Sequence, residues 1–265
     1  MNPNFVDVHA HIHSKEFDTD RADVLSRMKK SGTWAITVGT DLESSRQAVA
    51  LAQSTEGVFA TIGQHPADNR SELFDSASYE LLTKSLKVVG IGECGLDFFR
   101  TPDTAEEKKR QSDLFEQQIE FAVRHDKPLM IHCRNAYEEV LSILHSSQKK
   151  FGDKVRGNVH FFAGDVSVAR KFLNMGFTLS FTGVLTFTID YDEVVSFVPL
   201  TSILSETDCP FVAPVPFRGK RNEPSFVSFT VERIVQIKKL SVGRVKETLV
   251  SNAITIFNLA QVKGL

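Results

Sequence analysis

The sequence predicts an α/β fold of the (β/α)8 TIM-barrel type, and three observations carry this prediction. Eight short runs rich in β-branched or apolar residues recur along the chain, with helical patterns between them. Histidine, glutamate and aspartate residues occur repeatedly at the ends of those runs. The length of 265 residues suits one large barrel or two smaller domains and allows a substantial core.

The predicted strands and helices alternate along most of the chain. The strand runs are residues 4–11, 33–40, 58–66, 88–96, 128–134, 157–162, 178–184 and 202–210. Helical patterns fall near residues 43–54, 73–86, 104–126, 136–149, 166–175 and 224–239, with shorter helical stretches to the C-terminus. This alternation indicates a parallel sheet with right-handed crossovers, for which an open doubly wound sheet is the alternative. Because no linker or low-complexity stretch interrupts it, we expect a single domain over residues 1–265.

The composition is that of an ordinary globular enzyme, with 42% hydrophobic and 24% charged residues. A net charge of -2 provides no global basic field for nucleic acid, so an anionic substrate would need local cations. We find no apolar run long enough for a membrane helix and no secretory signal. Three cysteines without framework spacing suggest a reducing compartment, and we expect a cytoplasmic protein with no evident obligate protein partner.

The first strand run ends in an unusual cluster of histidines, VDVHAHIH at residues 6–13. Residues two apart in a strand point to the same side, so His9 and His11 share a face, with Asp7 beside them. Clustered imidazole and carboxylate groups are typical ligands of a divalent metal ion. A half-buried strand with a polar, solvated side is the simpler alternative, which a single histidine would favour.

Further polar residues stand at the ends of other strand runs, and a parallel barrel gathers all such ends on the face that carries active sites. A convergence of titratable groups in one cleft is the usual sign of a functional site, whereas independent packing accidents would have to coincide repeatedly. The residues concerned are His65, Glu93, His132, His160 and Asp208.

These side chains suit a catalytic centre for Zn, Mn, Mg or a related divalent ion. There are enough ligands for two ions, with Glu93 as the natural bridge between them. Asp208 could both bind metal and take the proton from an attacking water. Each cysteine directly follows one of these residues, so strand alternation turns it the other way, and we expect small buried residues at Cys94, Cys133 and Cys209 rather than ligands. His125 and His145 lie on helical patterns and are interpreted as structural or surface residues.

Several motifs, taken together, resemble those of the TatD family of metal-dependent hydrolases. They span nearly the whole chain and comprise DVHAH at 7–11, GQHP at 63–66, GIGECGLD at 90–97, HCR at 132–134, ETD at 206–208 and PFRGKRNEP at 216–224. The resemblance implies a distorted TIM barrel of the amidohydrolase-like superfamily. It also implies a divalent metal centre formed by His9, His11, Glu93, His132, His160 and Asp208.

Family members are described as deoxyribonucleases, commonly acting from the 3′ end, and some relatives remove D-amino acids from tRNA. The chain departs from the usual pattern at His13, where aspartate is common, and at residues 161–164, which read FFAG where CFSG is frequent. We expect His13 to lie outside the core ligand set, with an extra metal or substrate contact as the alternative. The change at 161–164 alters the polarity of the loop beside the site.

Candidate cations for a phosphate are Arg100, Arg134, Arg218, Lys220 and Arg221, because arginine can bind phosphate through two hydrogen bonds. Ordinary solvated surface charge is the alternative for each of them. For Arg221 a third possibility is an ion pair with Glu206 or Glu223 that fixes the loop at the barrel mouth. Phe98 and Phe99 could stack an unpaired base, although core packing is the commoner role of a phenylalanine.

These observations lead to the hypothesis of a metal-dependent deoxyribonuclease, a 3′-5′ exonuclease on single-stranded or frayed DNA. Asp208 would accept the proton of the attacking water, and His65 would contact the substrate or leaving group. The rival is a carbonyl ester or amide hydrolase using the same metals, such as a D-aminoacyl-tRNA deacylase. A metal-binding scaffold without catalysis is the third possibility, and the complete ligand set counts against it.

Overall fold

The computed structural model describes residues 3–262, in which eight strands form one sheet in the sequential order β1 to β8. Every neighbouring pair is parallel. An open doubly wound sheet would reverse its strand order, so the barrel prediction is confirmed and the alternative is wrong. The strands are β1 Phe5–Ala10, β2 Thr33–Val38, β3 Val58–Ile62, β4 Val88–Asp97, β5 Leu129–Arg134, β6 Gly157–Val159, β7 Thr178–Phe181 and β8 Ile203–Ser205.

The barrel closes between β1 and β8 without a regular ladder, which is its main distortion. The backbone N–H of Asp208 donates to the carbonyl of His9 over 2.9 Å, and that of His11 donates to the carbonyl of Cys209 over 2.8 Å. Ala10 and Cys209 form an isolated parallel bridge. These bonds lie beyond the end of β8, so closure is made by the loop that carries Asp208.

Helices fill the connections and pack on the outside of the sheet. They are α1 Arg21–Ser31, α2 Leu42–Ser54, α3 Ser76–Thr83, α4 Ala105–Arg124, α5 Tyr137–Phe151, α6 Val166–Asn174, α7 Asp192–Phe197, α8 Val227–Lys238 and α9 Val242–Ile256. Among these, none is long and apolar enough to cross a membrane.

Three helices differ from the sequence-based expectation. Helix α1 was not predicted, because only Val24 and Met28 of its eleven residues are buried and its periodic signal is weak. The six-residue α7 is too short to show a period. The C-terminal stretches expected to be short instead include the fifteen-residue α9, which buries Val245, Leu249 and other residues against the sheet.

Several strands end earlier than their apolar runs suggested. The runs at 58–66, 157–162 and 202–210 become strands of five, three and three residues. His65, His160 and Asp208 therefore lie in the loops that follow the strands, where the chain can leave the strand direction and turn side chains toward the mouth. Asp208 has a left-handed φ of 55°, a conformation that aspartate adopts more readily than most residues.

Two glycines allow β4 to lie unusually close to β5 around Glu93. Gly92 has φ 144° and Gly95 has φ 134°. A Cβ at Gly92 would lie 2.3 Å from the carbonyl oxygen of Met130, and one at Gly95 would lie 2.0 Å from that of His132. The pairing register shifts between Ile91 and Cys94. This irregularity directs the carboxylate of Glu93 into the barrel mouth.

Candidate metal centre

A cavity of about 1300 Å³ opens at the carboxyl ends of the strands. Of the seven candidate site residues that the sequence placed at strand ends, six line the cavity, namely His11, His65, Glu93, His132, His160 and Asp208. His9 is fully buried beneath them. The structure thus brings together the side chains that the sequence placed at separate strand ends.

One group of ligand atoms surrounds Oε2 of Glu93. Oε2 of Glu93 lies 3.4 Å from Nε2 of His9 and 3.8 Å from Nε2 of His11. Oδ1 of Asp208 lies 3.7 Å and 3.5 Å from the same two nitrogens. The two imidazole nitrogens are themselves 3.3 Å apart. Four potential ligand atoms therefore face one small volume.

A second group surrounds the other oxygen of Glu93. Oε1 lies 3.0 Å from Nδ1 of His132 and 2.9 Å from Nε2 of His160. These two nitrogens are 3.4 Å apart. Because each oxygen of Glu93 faces a different set of imidazoles, its carboxylate lies between two volumes that could each hold a cation.

The orientation of the rings fits metal binding. Nδ1 of His11 lies 2.8 Å from the carbonyl oxygen of Val38, which can only accept, so the neutral ring carries its proton there and turns the lone pair of Nε2 inward. Nε2 of His132 lies 3.1 Å from Oδ2 of Asp97, so by the same reasoning Nδ1 turns its lone pair toward Glu93. Lone pairs facing carboxylate oxygens require a cation between them, and such partners on the second ring nitrogen are usual for metal-bound histidines.

The charges of the site favour positive charge within it. Burial alone would raise the pKa of Glu93, but the imidazoles around it, His160 foremost, hold that pKa well below its usual value. Burial would likewise lower the pKa of His160, yet the charges of Glu93 and Glu206 outweigh it and raise that pKa well above its usual range. Glu93 is therefore ionised, and the centre attracts cations.

Two supporting carboxylates were not recognised as part of the site from the sequence. Glu206 is fully buried, lies 3.5 Å from Nδ1 of His160, and accepts hydrogen bonds from Ser180 and the backbone of Phe161. Asp97 holds His132 as described above. Their spacing in the sequence could have identified them, because residues an even number of positions apart in a strand share a face. Asp97 is four residues from Glu93, and Glu206 is two from Asp208.

A third cluster, His65 with Asp97 and His132, could hold a metal by distance alone. The guanidinium of Arg100 already occupies that position: its Nε lies 2.7 Å from Oδ2 of Asp97, and its Nη2 lies 2.8 Å from Nε2 of His65. Arg100 thus acts within the protein, where the sequence suggested a phosphate contact. The guanidinium supplies the positive charge that this cluster needs.

His65 is neutral, and hydrogen-bond donors of the protein approach both of its ring nitrogens. Burial, reinforced by the charge of His132, lowers its pKa well below the usual value. The backbone N–H groups of Ala67 and Asp68 point at Nδ1 over 3.0 and 3.3 Å. The guanidinium of Arg100, which can only donate, points at Nε2 over 2.8 Å, and Nε2 also faces Glu93 at 3.6 Å. Donors of the protein therefore hold the ring at the cavity wall from both of its nitrogens.

Other residues named from the sequence lie near the centre with different contacts. Asp7 is fully buried and accepts from the backbone and hydroxyl of Thr207, which takes it out of the ligand groups. His13 lines the cavity and bonds through Nδ1 to the hydroxyl of Thr37 over 2.8 Å. Of the cysteines, Cys133 differs from the expected burial, because it is partly exposed and lines the cavity.

Within the described residues, Cys94, Cys209 and His125 lie outside the groups of candidate ligands. Cys94 and Cys209 are buried, and burial raises the pKa of both thiols. No cysteine belongs to a group of candidate ligand atoms within the described residues. His125 packs on Phe121 and lies 3.0 Å from Glu80, which makes it structural.

The candidate cations are placed very differently. Arg134 lines the cavity, its guanidinium stacked on the ring of Phe99 at 3.8 Å. Arg218 stacks in the same way on Phe187 at 3.8 Å, but among the described residues it is not one of those that line the cavity. The two side chains thus form a matched pair, of which only Arg134 faces the cavity.

Arg221 is engaged in holding the loop that follows β8. Its guanidinium makes two hydrogen bonds to Asp20, of 2.8 and 2.6 Å, and lies 4.5 Å from the ring centroid of Phe17. The ion pair suggested as a third possibility is formed with a different partner, because Glu206 faces His160 and Glu223 pairs with Arg27 over 2.6 Å. The loop is therefore fixed to α1 by two arginine–carboxylate pairs, one at the residue before the helix and one within it.

Comparisons with known proteins agree with this arrangement. A family model described as TatD related DNase matches residues 6–258. YabD of Bacillus subtilis (strain 168), described as an uncharacterized metal-dependent hydrolase, is 36% identical over 260 residues, covering 96% of this chain and 98% of its own. YcfH of Escherichia coli (strain K12), described in the same words, is 31% identical over 260 residues, covering 96% of both chains.

Solved structures show the same barrel. YJJV of Escherichia coli K12, a TatD homologue, superimposes with a TM-score of 0.88 at 25% identity, covering 97% of this chain and 99% of its own. A TatD-family hydrolase from Entamoeba histolytica superimposes with a TM-score of 0.84 at 22% identity, covering 97% and 99%, which supports the fold.

The barrel, the imidazole and carboxylate groups at its mouth and these relatives define a metal-dependent hydrolase. The chain belongs to the TatD family.

Proposed function

We propose that the chain is a deoxyribonuclease that removes nucleotides from the 3′ ends of single-stranded or frayed DNA, with two divalent metal ions, Mg, Mn or Zn, as cofactors. The observation that carries this proposal is the position of Glu93, whose two oxygens face separate groups of ligand atoms in an open cavity. A pair of ions bridged by one carboxylate suits phosphodiester hydrolysis. The family description as TatD related DNase supports DNA as the substrate.

The ligand residues divide between the two positions. His9 and His11 with Asp208 would hold one ion, His132 and His160 the other, and Glu93 both. Ions held there would polarise a phosphoryl oxygen and make a water molecule more acidic. Asp208 has the more exposed carboxylate, at 16% against 6% for Glu93, and it accepts the proton of the attacking water.

His65 contacts the reacting phosphate or the leaving group from the other side of the centre. Nη2 of Arg100 lies 2.8 Å from its Nε2 and holds the ring at the wall of the cavity, with Glu93 3.6 Å away. The proton transfer from water is left to Asp208.

Arg134 supplies a cation for the neighbouring phosphate. Within residues 3–262 no carboxylate pairs with it, and its ring contact with Phe99 leaves the N–H edges of the guanidinium free. A fork of this kind binds phosphate through two hydrogen bonds. Arg218 and Arg221, which were also candidate substrate residues, would then act at a distance from the cleaved bond, the latter through the loop that carries Asp208.

The test is cleavage of single-stranded DNA labelled at its 5′ end. Protein stripped of metal is supplied with Mg, Mn or Zn, with Glu93→Ala as the inactive control. We expect a ladder that shortens from the 3′ end, requires metal and is lost in the variant. Cleavage from the 5′ end, or cleavage without metal, would contradict the proposal.

A second comparison separates this activity from that of a carbonyl hydrolase. Arg134→Ala and its matched control Arg218→Ala are assayed on DNA and on an uncharged aryl ester. For a nuclease, Arg134→Ala raises KM for DNA about tenfold or more, in line with a lost charged hydrogen bond, and leaves ester turnover unchanged. Turnover of the ester alone, unaffected by either variant, would indicate the carbonyl hydrolase instead.

A further inference from the structure

Phe211 is an exposed aromatic ring beside the ligand residues, and the reaction described above makes no use of it. Its side chain is 56% exposed and it lines the cavity. Within the described residues its ring contact is with His11, edge to face, with centroids 6.3 Å apart. Large apolar side chains left open next to a catalytic centre are candidates for substrate contact rather than packing.

The turn that carries Phe211 is held rigidly. Asn222 is fully buried and donates from its amide to the carbonyl of Thr207 over 2.9 Å and to that of Phe211 over 2.7 Å. The backbone N–H of Phe211 donates to the carbonyl of Asp208 over 2.9 Å. The backbone that carries the ring is therefore fixed by the fold.

The backbone on one side of Phe211 is also strained. Val212 has φ 51°, which is a rare conformation for a β-branched residue. Such conformations persist only where the surrounding structure imposes them, and they concentrate at functional sites. The strain here presents Phe211 to the cavity.

We propose that Phe211 is a stacking platform for one unpaired nucleobase of the substrate, next to the cleaved phosphodiester. This inference rests on the proposed function and names a contact that determines its substrate class. Every nucleobase offers a flat face to an aromatic ring, so the contact tolerates any sequence but needs the base to be unpaired. A single ring inside a cavity fits one flat ligand group better than it fits a protein surface.

The position of Arg134 agrees with this assignment. Arg134 ends β5, whereas the ring of Phe211 contacts His11, which follows β1. In a barrel of eight strands in sequential order, β1 and β5 lie on opposite sides, and Glu93 faces His11 with one oxygen and His132 of β5 with the other. A strand crossing the mouth thus meets the guanidinium of Arg134 on one side of Glu93 and the ring of Phe211 on the other.

The size of the cavity agrees as well. Its volume of about 1300 Å³ exceeds the roughly 300–1,000 Å³ usual for sites that enclose one small molecule. It therefore has room for the end of a polymer, with a phosphate at the centre and a base to the side.

The experiment compares binding of two single-stranded oligonucleotides by the metal-loaded protein. One has 2-aminopurine near its 3′ end, the other has abasic sites there, and both have phosphorothioate linkages that resist hydrolysis, with Mn²⁺ present. The variants are Phe211→Leu, which removes the ring, and Phe211→Trp, which keeps one. Phe5→Leu is the control, because Phe5 begins β1 at the opposite end of the barrel. Melting temperatures verify that each variant is folded.

We expect Phe211→Leu to weaken binding of the base-containing DNA about tenfold or more and to abolish the quenching of 2-aminopurine. Binding of the abasic DNA should not change, and Phe211→Trp and Phe5→Leu should behave as the wild type. Equal losses on both DNAs, or quenching retained in Phe211→Leu, would overturn the proposal.

Separate results distinguish this proposal from the nuclease proposal. Binding and quenching that depend on Phe211, with no cleavage of ordinary DNA by the wild type, would keep the stacking contact and reject the nuclease. Equal rates of DNA cleavage by the wild type and by Phe211→Leu would keep the nuclease and reject the stacking contact. A wild type that binds no DNA would reject both.

Discussion

Oδ2 of Asp97 lies 3.1 Å from Nε2 of His132, and this contact determines which nitrogen of the imidazole faces Glu93. Asp97 also accepts from Arg100 and is completely buried. The same carboxylate therefore orients a candidate ligand and balances the charge of the arginine beside His65.

Replacing this carboxylate should weaken metal binding without removing a ligand. We expect Asp97→Asn to lower the affinity for divalent metal about 10- to 100-fold, as is usual when a partner of a ligating histidine is lost. Competition with a chromophoric chelator measures the affinity. Asp192→Asn is the control, because Asp192 pairs with Arg233 between α7 and α8. Equal affinities in both variants would show that the Asp97 contact does not orient a ligand.

Gly95 allows the close approach of β4 and β5, so a side chain there should destabilise the barrel. With φ at 134° and a Cβ placed 2.0 Å from a backbone oxygen, we expect Gly95→Ala to lower the free energy of unfolding by about 3 kcal/mol or more. Gly243→Ala is the matched control, since a Cβ in α9 meets open space and should stabilise by up to about 1 kcal/mol. Urea denaturation measures both, and similar values for the two would refute this role of Gly95.

Glu107 should make stability depend on pH in the acid range. Hydrogen bonds from Arg110, opposed in part by burial, lower its pKa to about 2 from the usual value of 4.5. Because the folded pKa is the lower one, the stabilisation is fully present above the unfolded value and is lost as pH falls toward the folded value.

We therefore expect Glu107→Gln to destabilise the protein by about 1–3 kcal/mol at pH 7, and the difference from wild type to shrink below pH 4.5. Urea denaturation across this pH range measures it, with Glu232→Gln, an exposed position on α8, as the control. A difference that stays constant with pH would mean that the charge of Glu107 does not stabilise the folded protein.

Arg221 and Asp20 should act as a unit if they hold the loop after β8. We expect Arg221→Ala and Asp20→Ala to change KM for DNA to the same small extent, less than about twofold, with no further change in the double variant. Steady-state kinetics of the three variants test this. A large rise in KM for Arg221→Ala alone would instead make Arg221 a direct phosphate contact.

Much of the architecture follows from the sequence because parallel strands leave a strong pattern. Strands buried on both faces read as apolar runs, and eight of them in sequential order leave few topologies. Helix α1 left no such pattern, since almost all of its side chains face solvent.

The convergence of the strand-end side chains was predictable from the sequence, whereas their supporting carboxylates and internal contacts were not. Alternation placed His9 and His11 together, and the rule for strand ends placed Glu93 beside His132. Which nitrogen of His132 faces inward depends on Asp97, and the partner of Arg221 depends on the distance between the β8 loop and α1. Both are set by packing between segments remote in sequence, which no local pattern records.

The most direct test of the account is to titrate metal into the stripped protein while measuring both bound ions and DNA cleavage. Because Glu93 faces two groups of ligand atoms, we expect cleavage to reach its maximum at two ions per chain, and Glu93→Gln to bind fewer ions and cleave no DNA. Full cleavage at one ion per chain, or undiminished cleavage by Glu93→Gln, would contradict the account.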